Sequence, residues 1–211
     1  MKKLIRYVVP AKEEQANEND TVLNVFPNTE IGPVNPFTLL QHKLPDCTSK
    51  EKCCKETLHL LLKGSSCKGL KERMLLSSDE VNLPCVLKQR GVELKLITGS
   101  YEDSLSPLET DPALVSIIGA IEKGRRVQFT AVEGYSTMLY VIKGRVNIHL
   151  DSIEEHQLVL FEKENEEILV CSEEDSQLLF LMARPVPDEE TSTLNIQFEA
   201  PGGRLSVYEA Q

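Results

Sequence analysis

From Leu114 onward, apolar residues gather in short runs separated by turn-forming residues. The runs are Leu114–Ile121, Arg126–Thr130, Thr137–Ile142, Arg145–Leu150, Gln157–Phe161, Glu166–Cys171 and Gln177–Ala183. They recur about every 8 to 12 residues, the spacing of strands in an all-β sandwich or barrel. Long helical periodicity is missing. The stretch Gly134–Leu150 is the most regular, with two strands joined at Lys143-Gly144. In its second strand Val146, Ile148 and Leu150 alternate with Arg145, Asn147 and His149. A period of two makes the first set the core face and the second the solvent face.

The first half is less regular. Lys3–Val9, Thr21–Phe26, Phe37–Gln41, Thr57–Lys63 and Val92–Thr98 read as strands. Between them stand Pro27-Asn28, Gly32-Pro33, Asn35-Pro36 and Gly64-Ser65-Ser66, all turn signals. Leu70–Val81 mixes partial helical spacing with the look of a single capped turn. Tyr101–Pro112 reads as a long connection. Leu194–Phe198 offers one last strand before Pro201-Gly202-Gly203. The expected organisation is a partial β domain over 1–99, a linker over 100–113, and a complete β domain with a tail over 114–211.

Composition narrows the classes. The chain has 23 basic and 33 acidic residues, a formal net charge of -10, and the basic residues are dispersed. Proteins that neutralise phosphates show a basic face, so direct nucleic-acid binding is not expected. No apolar run approaches the roughly 20 residues that cross a bilayer. Arg6 interrupts the apolar start and Lys12-Glu13-Glu14 follow it, which does not suit a signal peptide; a cytoplasmic location without membrane association is expected. There the six cysteines are expected to be reduced thiols.

Two groups of residues carry potential chemistry. The segment Pro45–Glu56 holds Cys47, Cys53 and Cys54, with His42, His59 and Cys67 near it in sequence. The spacing fits no zinc knuckle, which needs a Cys-x2-4-Cys pair, and adjacent cysteines seldom share one tetrahedral ion. Free thiols on a solvated loop are the preferred reading. Lys50, Lys52 and Lys55 would lower a thiol pKa there. The second group is a ligand pocket in the C-terminal barrel, with Tyr140, Arg145, Asn147 and His149 as its polar groups. Against it stands the plainer reading that small barrels are simply filled and that the polar set meets solvent. A Ser-His-Asp set from Asp151, Ser152 and His149 or His156 has the wrong spacing for triad geometry, and glycine-rich phosphate loops are absent from the sequence.

Two stretches, TVLNVFPNTEIGPVNPFTLLQH and GYSTMLYVIKG, resemble the pirin family of two-domain cupins. LHLLLKG and VELKLITGSYEDSLSP resemble the segments that leave the N-terminal barrel and link the two domains. The resemblance implies a jelly-roll bicupin with a truncated N-terminal half. It also implies a metal-bearing His-x-His, Glu, His motif between the strands at Phe37 and Thr57. No His-x-His occurs anywhere in this sequence. In the C-terminal domain, aligning Tyr140 with the motif's tyrosine puts Thr130, Val132 and Ser136 where two histidines and the glutamate would fall. The expectation is therefore a non-catalytic pirin-like protein without metal or other cofactor. It would bind a protein partner or a small ligand, with self-association as a way to cover its open strand edges. The alternative is a residual metal-dependent dioxygenase of quercetinase type.

Overall fold

The computed structural model describes residues 83–107, 114–161 and 167–183 with their side chains. It also describes the backbone of strands at 5–10, 21–25, 37–43, 56–63, 66–67, 74–77, 110–111, 193–200 and 204–210. The described residues are all-β. None of them forms a helix long and apolar enough to cross a membrane.

The chain forms two compact units, Met1–Pro10 with Leu83–Pro185, and Ala11–Asn82 with Val186–Gln211. The linear boundaries expected from the sequence, 1–99, 100–113 and 114–211, cut across this division. Ile5–Pro10 pairs antiparallel with Gln157–Phe161 and so joins the C-terminal barrel. Thr193–Ala200 pairs with Glu56–Lys63, so the tail returns to the other unit. Local patterning marks a strand but not its partner, and both partners here are remote in sequence.

Among its described residues the first unit holds two main antiparallel sheets and the small antiparallel pair Ser100–Tyr101 with Ser104–Leu105. The larger runs Ile5–Pro10, Gln157–Phe161, Ser136–Lys143, Ser176–Ala183, Leu114–Ile121, Val92–Thr98, Cys85–Gln89. The smaller runs Arg126–Thr130, Glu167–Ser172, Arg145–Ile148, Asp151–Glu154. Sequence pattern sorts the strands between them. Ser136–Lys143, Leu114–Ile121 and Ser176–Ala183 are nearly continuous apolar runs, and they are buried along almost their whole length. Arg126–Thr130 and Arg145–Ile148 alternate, and so do their burial patterns, because one face of the smaller sheet meets solvent. The facing sides enclose one apolar core that includes Leu94, Leu96, Ile117, Phe129, Val141, Ile148, Val170 and Phe180.

Lys143-Gly144 is a corner between the two sheets. Ser136–Lys143 pairs with strands of the large sheet, whereas Arg145–Ile148 pairs with Asp151–Glu154 and Glu167–Ser172. Gly144 has φ 83°, and a Cβ there would lie 2.7 Å from the Asp175 carbonyl oxygen, so the corner requires glycine. Ser176 secures the same corner by donating to the Arg145 carbonyl at 3.1 Å. The strand expected over Arg145–Leu150 ends at Ile148. His149 and Leu150 form a turn, and Leu150 is 87% exposed rather than part of the core face.

In the second unit, Thr21–Val25, Phe37–Lys43, Glu56–Lys63, Thr193–Ala200, Arg204–Ala210 and Met74–Ser77 form a six-stranded antiparallel sheet in that order. Met74–Ser77, from the stretch that read as helix or capped turn, is a strand paired with Arg204–Val207.

Gly99 is the tightest backbone position of the barrel. Its φ is 79°, and a Cβ would stand 2.2 Å from the Leu114 carbonyl oxygen. We expect Gly99→Ala to cost about 2 to 4 kcal/mol through left-handed strain and backbone collision. Urea denaturation of both proteins measures the loss; a cost below about 0.5 kcal/mol would refute the close approach.

Candidate functional site

The interior of the barrel, where the sequence suggested a ligand pocket, is packed. Val127, Phe129 and Ala131 alternate inward from Arg126–Thr130 and the residue that follows it, and all three are buried. Phe129 stacks on Phe180 with ring centroids 4.3 Å apart and planes 13° from parallel. Tyr101 meets the same Phe180 edge-on at 6.4 Å. Aromatic pairs in these arrangements add to their hydrophobic burial. The Tyr101 hydroxyl accepts a hydrogen bond from the Thr130 backbone N–H at 2.7 Å, so the ring is anchored at its polar end as well.

This register corrects the placement of the metal-motif positions. Thr130 is exposed and Val132 is 46% exposed, both on the outward side of the strand, and Ser136 is half-buried. The inward positions beside them are Phe129 and Ala131. The nearest inward polar atom in sequence is Thr137 Oγ1, which is buried without a hydrogen-bond partner among the described residues. Thr137 shares its side of the strand with Leu139 and Val141 of the core. The hydroxyls of Thr137 and Tyr101 among aliphatic and aromatic side chains are not a donor set for a transition ion, which takes imidazole, thiolate or carboxylate. These residues make no metal site in this barrel; the motif that the family resemblance implies would lie elsewhere, between the strands at Phe37 and Thr57. Among the described residues no group of three His, Cys, Asp or Glu stands together to hold an ion.

The four residues expected to line a pocket fall in two places. Tyr140 is fully buried in the large sheet, and its hydroxyl shares a 3.2 Å hydrogen bond with His156 Nδ1. Arg145 and Asn147 lie on the outward side of the small sheet. The Arg145 guanidinium is 3.9 Å from both Glu154 and Glu174, and Asn147 Nδ2 donates to Glu173 Oε1 at 2.5 Å. His149 occupies the turn with φ 56°. Exposed ion pairs of this length contribute little to stability. Arg145, Asn147 and His149 lie toward solvent while Tyr140 does not, and Val146 and Ile148 fill the barrel. Ser152, once a paper member of a triad, is exposed opposite Asn147.

Of the thiol group, Cys47, Cys53 and Cys54 lie outside the described residues. His59 lies in the strand Glu56–Lys63, opposite Leu40 and Gln197 in register. Among the described residues Cys85 and Cys171 are free thiols.

Two features escaped the sequence reading. His156 joins Tyr140 to Glu155, whose Oε1 lies 3.3 Å from His156 Nε2; a φ of 64° and a backbone bond to the Val141 carbonyl set this geometry. A sequence shows neither the turn conformation nor the register that brings a residue 16 positions away. The second is a cleft of about 410 Å³ at the end of the large sheet, lined by Lys88, Glu93, Glu122, Lys143 and Asp175 among others. In sequence these charges are scattered over strands and turns, and nothing marks them as neighbours.

Residues 118–195 match the Pirin C-terminal cupin domain. No curated protein matches the chain in sequence. Among solved structures, GK1651 from Geobacillus kaustophilus superposes with a TM-score of 0.65 at 14% identity, over 87% of this chain and 97% of that one. A quercetin 2,3-dioxygenase from Acinetobacter baumannii superposes with a TM-score of 0.65 at 16% identity, over 86% of this chain and 87% of the other. At such identities the likeness establishes the cupin fold alone.

Burial raises the pKa of Tyr101, the Glu102 charge adds to that shift, and the hydrogen bond from Thr130 opposes it. The neutral phenol therefore belongs to the folded state, and the unfolded chain ionises first as pH rises through 10. Stability from this group is fully present below pH 10 and is lost as pH climbs through the raised folded value. Tyr101→Phe should cost about 1 kcal/mol at pH 8 through the lost hydrogen bond. It should also flatten the decline in urea midpoint between pH 9.5 and 11; an identical decline in both proteins would contradict the assignment.

Proposed function

The chain carries a pirin-type C-terminal cupin domain at residues 118–195, and from that premise we infer that it works by binding, with no oxygenase reaction in its barrel. The observation that carries this reading is the filled interior of the barrel, where Phe129, Phe180 and Tyr101 pack against one another. The sequence supports it independently, since it contains no His-x-His for the family's metal site. The binding target is a protein partner or a small ligand. The charged cleft between Lys88 and Asp175 offers a contact surface for either.

The second reading is a residual dioxygenase acting on a flavonol such as quercetin, favoured by the similarity in fold to a quercetin 2,3-dioxygenase. The two differ in one assay. Purified protein incubated in air with quercetin and added ferrous ion should leave the flavonol absorbance unchanged. Oxygen-dependent loss of that absorbance, abolished by a chelator, would overturn the binding reading.

A further inference from the structure

Strand register gives the cleft at the end of the large sheet a definite order. Lys88 stands opposite Glu93, Glu93 opposite Ala120, Ala120 opposite Gln177, and Gln177 opposite Lys143. These residues form one row across neighbouring strands, and all of them line the cleft. They alternate with the buried Val92, Ile121 and Ser176, so the row faces outward. Ala120 stands in the middle, and its single methyl between longer side chains makes the floor.

One end of the cleft is acidic. Ile121 pairs with Ser176, and one residue further on Glu122 comes across from Asp175, on the outward side again. The Lys123 N–H donates to Asp175 Oδ1 at 2.9 Å and fixes that carboxylate. Glu122 is held at Gly91, whose carbonyl accepts the Glu122 N–H at 2.7 Å. A Cβ at Gly91 would stand 2.5 Å from Glu122 Oε2, so the bare glycine leaves room for the carboxylate. Arg125 Nε comes within 3.0 Å of the same point and balances part of the charge. Like charges across paired strands still repel, and a cation between them is favoured.

The neighbouring part of the row offers donors. Among the described residues the Lys143 ammonium forms no ion pair and the Gln177 side-chain amide no hydrogen bond. Glu93, in contrast, is already engaged by Lys88 at 3.9 Å and Lys95 at 3.6 Å. Gln177 lies two residues along its strand from Asp175, about 7 Å. Two residues of extended peptide span about the same distance. The cleft volume of about 410 Å³ is of small-ligand size. We propose that the cleft binds a peptide zwitterion of dipeptide length. Its ammonium sits between Glu122 and Asp175, and its carboxylate meets Lys143 and Gln177. This rests on the binding reading above and names its ligand class.

Titration of alanylalanine into isotopically labelled full-length protein, followed by amide NMR, tests it. The expected result is saturable movement of the Ala120, Glu122, Lys143 and Gln177 amides with a single Kd. Acetylating the dipeptide's amine or amidating its carboxylate should each weaken binding about three- to tenfold, as should Glu122→Gln and Lys143→Gln. Free alanine, whose charges stand closer together, should bind less tightly. Unmoved amides remote from the cleft verify the fold of each variant. No saturable movement by about 10 mM dipeptide overturns the site. So does equal affinity for the blocked dipeptides or for free alanine, or wild-type affinity in both variants. Loss of the site leaves the binding reading standing, whereas quercetin turnover overturns that reading whether or not the dipeptide binds.

Discussion

The barrel depends on the contact of Phe180 with Phe129 and Tyr101. These three rings come from three separate elements: the large sheet, the small sheet, and the connection that follows Val92–Thr98. Sheets that pack face to face must interdigitate their inward side chains across about 10 Å, and large aromatics at the centre set that thickness. Tyr101 adds a polar anchor because its hydroxyl receives the Thr130 N–H, the last residue of the strand that carries Phe129. Around this centre, Thr98 Oγ1 shares a hydrogen bond with Ser116 Oγ at 2.8 Å, and Ser106 donates to the Ile97 carbonyl at 2.6 Å. Those bonds hold the connection that delivers Tyr101. Tyr101, at the start of what read in sequence as a linker, is part of the core.

Much of this architecture was legible because apolar patterning separates the two kinds of strand. Continuous runs such as LVSIIGAI and SQLLFLMA announce strands buried on both faces, and alternating runs such as RVQFT announce half-exposed ones. The illegible parts have particular causes. Asp151–Glu154 is short and polar, and only its pairing with Arg145–Ile148 makes it a strand. Glycine at positive φ serves a hairpin or a corner equally well, so Lys143-Gly144 did not reveal that its two strands enter different sheets. Ile5–Pro10 and Thr193–Ala200 gave a local strand signal but no indication of partners far along the chain.

The candidate site shows the same division. The absence of any His-x-His is visible in the sequence alone. The side of the strand on which Thr130 and Val132 fall is not, because a one-residue change of register moves every side chain to the opposite face. The correction strengthens the conclusion: the inward residues are Phe129 and Ala131, which are further from metal chemistry than a threonine. The C-terminal barrel has the cupin fold and a packed interior. The charges gathered outside that core line the cleft of Lys88, Glu93, Glu122, Lys143 and Asp175.

The central claim is that the C-terminal barrel is a packed core and not a reaction chamber. Equilibrium denaturation of Phe129→Ala tests it most directly. A core aromatic removed from between two sheets should cost about 3 to 5 kcal/mol and lower the urea midpoint accordingly. A loss below about 1 kcal/mol would mean that the ring lines an open cavity, and the account of a filled barrel would fail.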